Sequence, residues 1–193
     1  MSEVIKFDTE ELAKPAPTPK PKIFNLVYTH IRDIVLPDFD FEKYGKEANE
    51  FASVLVETCK ENGGLSLSAN QCGFPHRVFV MGAGDEYVAF FNPKIISESD
   101  STIKMAENSL TVPFLELKLT RPKTVEVEYQ DFNGELHKQI YGGISARLIQ
   151  QQLDNLDGIP FYSKAKPLAL EYAIKKQRKT LKKYGMKMKL DIL

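Results

Sequence analysis

An α+β fold is what this sequence predicts, and three observations carry the expectation. Short β-type runs gather between Arg77 and Tyr129, helical patterns lie on both sides of them, and no internal repeat links the regions. With 193 residues, 42% of them hydrophobic and 27% charged, one domain has the material for a core without disulfides.

The elements follow in chain order. Residues 1–25 read as an arm: an acidic leader, then "KPAPTPKPK" from Lys14 to Lys22, whose four prolines favour extended backbone. Residues 41–62 read as one helix, with Phe51, Val54, Leu55 and Thr58 on a face and "NGG" as its stop. "RVFVM", "YVAFFNP", "LELKLT" and "TVEVEY" are rich in Val, Phe, Tyr and Thr and read as strands. Asn133-Gly134 signals a hairpin turn. Ala146, Ile149, Leu153 and Leu156 then recur at helical steps, closing at Gly158 with Pro160 beyond. A last helix, about Leu168 to Tyr184, carries a basic run. The expected division is therefore an arm at 1–25, a folded domain at 26–165, and a basic helix and tail at 166–193.

Composition excludes several classes. Cys59 and Cys72 are too few for a disulfide framework or a cysteine-only zinc site, and they point to a reducing compartment. No apolar run approaches the ~20 residues of a membrane span, so no membrane partner is expected. The acidic N-terminus resembles neither a secretory signal nor a transit peptide. Net charge is zero, yet Lys175 to Lys189 holds eight basic residues and no acidic one. Such a run suits an acidic protein surface, RNA or a ribosome. No nucleic-acid motif accompanies it, so protein partners are expected through the arm at 1–25 and the segment at 175–189.

Within the 146–156 helix, Gln151 and Asn155 lie four apart, which is how a helix presents two metal ligands on one face. Both are neutral amides, and Gln152 stands where a metal helix of that kind has a carboxylate.

Three segments in register resemble the signature motifs of peptide deformylase, a metal hydrolase that removes the formyl group from the initiator methionine of new proteins. Gly64 to Gly73 resembles G-x-G-L-[AS]-A-x-Q-x-G, Glu107 to Pro113 resembles E-G-C-L-S-x-P, and Gln150 to Gly158 resembles Q-H-E-x-D-H-L-x-G. "FNPKIISES", Arg121 and "YGGISAR" fit between them, so the resemblance runs from about Pro37 to Ser163. It implies antiparallel β-sheets around a central, former metal-binding helix, plus a C-terminal helix. In the family the motif cysteine and two histidines hold the metal and the glutamate handles protons. This chain has Ser109, Gln151, Asn155 and Gln152 at those positions. The resemblance further implies Gln71 and the Leu110 backbone N–H as oxyanion donors, and Gly64, Ser66, Leu67, Ser68, Ala69 and Gln71 as a peptide groove.

These replacements remove the chemistry. A catalytic zinc or iron site uses thiolate, imidazole or carboxylate donors, and a hydroxyl with two amides supplies none. Without the cation, water keeps its high pKa. Gln152 cannot take or give a proton, a step worth typically 10²–10⁴-fold. His30, His76 and His137 are expected at the surface, so no metal or other cofactor is expected. Ser109, Gln151, Gln152 and Asn155 should instead hydrogen-bond into a plug, since unpaired buried groups cost ~1–3 kcal/mol each. The expected function is a non-catalytic binding or structural protein of a larger assembly, in the cytoplasm or in a particle such as a phage virion, since the family occurs in phages. The alternatives are an active peptide deformylase and a ribosome-associated binding module.

Overall fold

Two helices grip opposite faces of one antiparallel sheet, and a β-ribbon closes the far side of the second helix. The computed structural model describes residues 22–27 and 36–186. Most of the expected arm and the last residues of the basic tail, together with His30, lie outside them.

In chain order the elements are α1 (Phe41–Tyr44), α2 (Ala48–Glu61), β1 (Ser66–Ser68), β2 (Val78–Ala83), β3 (Glu86–Glu98), β4 (Thr102–Ser109), β5 (Val112–Pro122), β6 (Thr124–Gln130), β7 (Leu136–Gly142), α3 (Gly143–Leu156) and α4 (Pro167–Lys183). A 3-10 turn, Ala69–Cys72, follows β1. The larger sheet runs β1-β2-β3-β6-β7, and β4 pairs β5 as a separate ribbon. Every pairing is antiparallel. This is the expected α+β architecture.

Strand alternation sorts the core into layers. Phe79, Met81, Phe90, Val125 and Val127 meet Ala146, Ile149, Leu153 and Leu156 of α3. Their neighbours Val78, Val80 and Phe91 turn the other way, onto Ala48, Ala52, Leu55 and Cys59 of α2. A third cluster joins Leu115, Leu117 and Leu119 of β5 to Ala173 and Ile174 of α4. The α3 stripe read from the sequence is therefore the face against the sheet.

Three expectations need correction. The helix predicted over 41–62 is two: Asp40 Oδ1 caps α1 by accepting from Glu42 and Lys43 N–H, and a turn at Gly45–Glu47 separates it from α2. Gly45 costs helix stability, and Phe41 and Tyr44 are held by rings of Phe39 and Phe91 instead. Strand β4, "TIKMAENS", was not expected, because its Lys, Ala, Glu and Asn have little β preference; it exists by pairing with β5. Strand β7 was likewise foreseen only through its turn: Gly134 adopts φ +82°, and Asp131 Oδ1 accepts from Asn133 and Glu135 N–H across the loop.

Both cysteines are free and buried. Burial pushes the Cys59 thiol up to about 11, and burial with Cys59 nearby pushes Cys72 up to about 12. Folding thus favours the neutral thiols. That contribution is complete below the unfolded thiol pKa of about 8.5–9, and it is lost as pH rises through the folded values. Native thiols should react with Ellman's reagent at pH 8 at least ~100-fold more slowly than in denaturant. Fast native labelling would show that these side chains are reachable.

Candidate functional site

Helix α3 is buried almost all round, and each face finds a different partner. Its apolar stripe takes the sheet. Arg147, Gln151 and Asp154 fall one turn apart on another face and meet the β4–β5 ribbon.

That meeting is electrostatic. Glu107 of β4 accepts from Arg121 Nε at 2.7 Å and Nη2 at 2.8 Å, from Arg147 Nη1 at 2.7 Å, and from Gln151 Nε2 at 3.2 Å. Arg121 Nη1 also donates to Asp154, whose other oxygen accepts from Lys164 Nζ at 2.8 Å. Arg147 completes its donors on the Ile103 and Leu119 carbonyls. Burial works against the Arg121 charge, but Glu107 and Asp154 outweigh it and raise its pKa. Two guanidinium and two carboxylate groups thus neutralise one another, as buried charges must.

Beside this cluster the three motif segments converge. β1 and the 3-10 turn bring Ser66 and Gln71, the β4–β5 turn brings Asn108, Ser109 and Leu110, and α3 brings Gln151 and Gln152. Together with Gly63, Gly64, Leu65 and Leu148 they line a pocket of about 210 Å³, with no ionisable side chain in its wall.

The polar groups are committed to one another. Gln71 Oε1 accepts from Ser68 N–H and Oγ–H, and Gln71 Nε2 donates to Ser109 Oγ and Thr111 Oγ1, both at 3.1 Å. Gln151 Nε2 donates to Glu107 and to the Asn108 carbonyl at 3.0 Å. Gln152 Nε2 donates to Ser66 Oγ at 2.7 Å, and Asn155 Nδ2 donates to Gln152 Oε1 at 3.3 Å. Asn155 is anchored in turn, its carbonyl accepting from Asn70 Nδ2 at 2.7 Å.

The sequence expected one plug made of four side chains. All four sit at this site, but only Gln152 and Asn155 bond to each other directly; Ser109 bonds Gln71 and Thr111, and Gln151 bonds Glu107. The reason is that the ribbon supplies better partners: a carboxylate outcompetes a neutral hydroxyl for an amide N–H. The groove expectation also changes. Gly64, Ser66 and Gln71 line the pocket, whereas Leu67 and Ala69 point into the α2 core and Ser68 is fully buried against Gln71. Leu65, two residues before Leu67 and 43% exposed, lines the pocket as well. Cys72 lies in the 3-10 turn and packs into the α2 core.

Glu107, Arg121 and Arg147 fall within or between the motif segments, and the sequence alone assigned them no role. The available signal was spacing: Arg147 and Asp154 flank Gln151 at helical steps, so all three had to face one acceptor-and-donor set.

A metal centre does not fit the residues present. Ser109 Oγ already accepts from an amide, and Gln151 and Asn155 direct N–H groups, not lone pairs, into their bonds. His76 stands away from the pocket, its ring against Phe39, Tyr44 and Phe51, and burial lowers its pKa. His137 bonds Asp131 in the β6–β7 loop at 3.2 Å. With Glu135 these two bring ligand atoms within 4.8 Å of one another, in a group that shares no residue with the pocket.

This fold, a sheet and a ribbon around a central helix, has known counterparts. The model of the family described as polypeptide deformylase matches residues 30–171. The chain belongs to the polypeptide deformylase family. The peptide deformylase of Phenylobacterium zucineum is 34% identical over 146 residues, 73% of this chain and 86% of the relative; that of Brucella suis is 30% identical over 158 residues, 76% and 90%. The solved peptide deformylase of Synechococcus elongatus, in complex with actinonin, superposes with TM-score 0.74 at 24% identity, over 89% of this chain and 92% of that one. An Acinetobacter baumannii peptide deformylase bound to Met-Ala-Ser gives 0.71 at 21%, over 76% and 100%; these two show the shared fold. The family match ends at residue 171, inside α4. Among the described residues no helix is long and apolar enough to cross a membrane.

Proposed function

We propose that this deformylase-fold chain binds the N-terminal segment of a peptide or protein partner and does not hydrolyse it. One observation carries the reading. Each side chain at a ligand or proton-handling position donates its hydrogens to a neighbour or accepts from one, and the pocket wall holds no acid, base or charge. Nothing there ionises water or carries a proton at neutral pH. What supports binding is shape and polarity: a concave, neutral, amide-rich pocket beside a β1 edge suits an extended backbone, which needs no metal. The Met-Ala-Ser held by the Acinetobacter baumannii relative makes that tripeptide the natural probe.

The rival is an active peptide deformylase, favoured by the names of the relatives. Metal content by mass spectrometry, on protein expressed with iron, nickel and zinc supplied, separates the two. The expected result is far less than one metal per chain, no release of formate from formyl-Met-Ala-Ser, and shifts of the Gln71 and Gln151 side-chain amide resonances when the peptide is added. Stoichiometric metal with turnover would overturn the reading. A metal-free chain whose amides ignore the peptide would remove its binding half.

A further inference from the structure

Helix α4 has two unlike faces. Ala173, Ile174, Gln177 and Leu181 are buried against β5, and Gln177 Nε2 donates to the Pro113 carbonyl at 2.8 Å. The outer face begins with Leu168 and Tyr172, 80% and 75% exposed, and continues into Lys175, Lys176, Arg178, Lys179, Lys182 and Lys183, all exposed. None of these six cations has an ion-pair partner among the described residues. The helix carries a single acidic residue, Glu171. Two bare apolar side chains leading into six unpaired cations form a surface that calls for an acidic, partly apolar strip.

The chain contains one. Met1–Leu12 holds Glu3, Asp8, Glu10 and Glu11 against Lys6 alone, interleaved with Val4, Ile5, Phe7 and Leu12. The path between strip and helix is short enough. Lys22 is tied to Glu50 at 2.6 Å, the Phe24 N–H donates to Thr58 Oγ1 at 2.8 Å, and Leu26 lines the same groove, about 560 Å³, as Lys176 and Thr180 of α4. Lys22 therefore lies at most ~14 Å of extended chain from a residue facing α4. The nine residues Ala13 to Pro21 add ~28 Å in the extended form that prolines favour.

We propose that the leader Met1–Leu12 occupies the outer face of α4 of its own chain, its carboxylates against the lysines and its apolar residues over Leu168 and Tyr172. Single exposed ion pairs are weak, but tethering by a short linker raises the local concentration to roughly millimolar, so a weak contact suffices. The contact lies outside the pocket and stands whether or not the pocket binds peptide.

Carbodiimide cross-linking of the full chain tests it, on an equal mixture of ¹⁴N- and ¹⁵N-labelled protein at low and at roughly 0.5 M salt. The expected products join Glu10 or Glu11 to Lys175, Lys179 or Lys182, always within one isotope, with yield falling several-fold in high salt. Absence of such products overturns the proposal. Mixed-isotope products at the statistical frequency overturn it too, since the occupant is then a second copy. A yield indifferent to salt removes its electrostatic basis.

Discussion

Replacing Ser109, Gln151, Gln152 and Asn155 together, as S109C/Q151H/Q152E/N155H, is expected to yield a chain that binds one metal and releases formate from formyl-Met-Ala-Ser. The four positions already stand on the right elements, at the β4–β5 turn and one helical turn apart on α3. Each wild-type side chain is neutral, and restoring thiolate and imidazole donors supplies the charge and softness that a catalytic zinc or iron needs. Bound zinc then lowers the pKa of water to about 7. The change also removes one of the two hydroxyl acceptors, Ser109 and Thr111, that now hold the Gln71 amide hydrogens. The triple variant S109C/Q151H/N155H should bind metal equally but turn over about 10²–10⁴-fold more slowly, because Gln152 still cannot move a proton. Metal content, turnover and a thermal melt check all three points. A folded quadruple variant that stays metal-free would place the defect in the pocket's shape and not in its donors.

The second large effect is on stability. Glu107→Ala should cost about 3–5 kcal/mol, because it strands Arg121 and Arg147 beside one remaining carboxylate in a buried site. The side chain of Glu107 is 1% exposed and that of Arg121 is 4% exposed. In a chain of this size that loss lowers Tm by roughly 6–20 °C. Removing the exposed Lys22–Glu50 pair by Lys22→Ala should change stability by less than ~1 kcal/mol, despite its 2.6 Å separation. Urea denaturation of both variants gives the contrast. Equal costs would mean that Glu107 is not held as described.

Much of the fold was legible because hydrophobic period and turn chemistry are local. The stripe Ala146-Ile149-Leu153-Leu156, the strands at 78–83 and 124–130, and the Asn133-Gly134 turn all follow from neighbours within a few residues. β4 was not legible, since its own residues argue against a strand and β5 alone makes it one. The same limit applied to the site. Losing a thiol, two imidazoles and a carboxylate at motif positions is a statement about residue types, and it can be read directly. Which group each replacement would bond is a statement about distance, and it cannot. The single plug expected from four amide and hydroxyl side chains became three networks: Ser109 joins Gln71, Gln151 joins Glu107, and Gln152 joins Ser66 and Asn155.

The sequence by itself determined which donor types, charges and proton capacities stand at the motif positions, since these belong to residues wherever they lie. It also determined the periodic faces of its helices, and the opposite charges of leader and α4. Only the tertiary structure decided that Glu107, Arg121, Arg147 and Asp154 neutralise one another in the interior, and that Leu65 and not Leu67 faces the pocket. Only it decided that Gln71 has no hydrogen to spare. Those outcomes depend on segments 14 to 86 residues apart meeting within 3.5 Å, and packing of the whole chain sets such meetings.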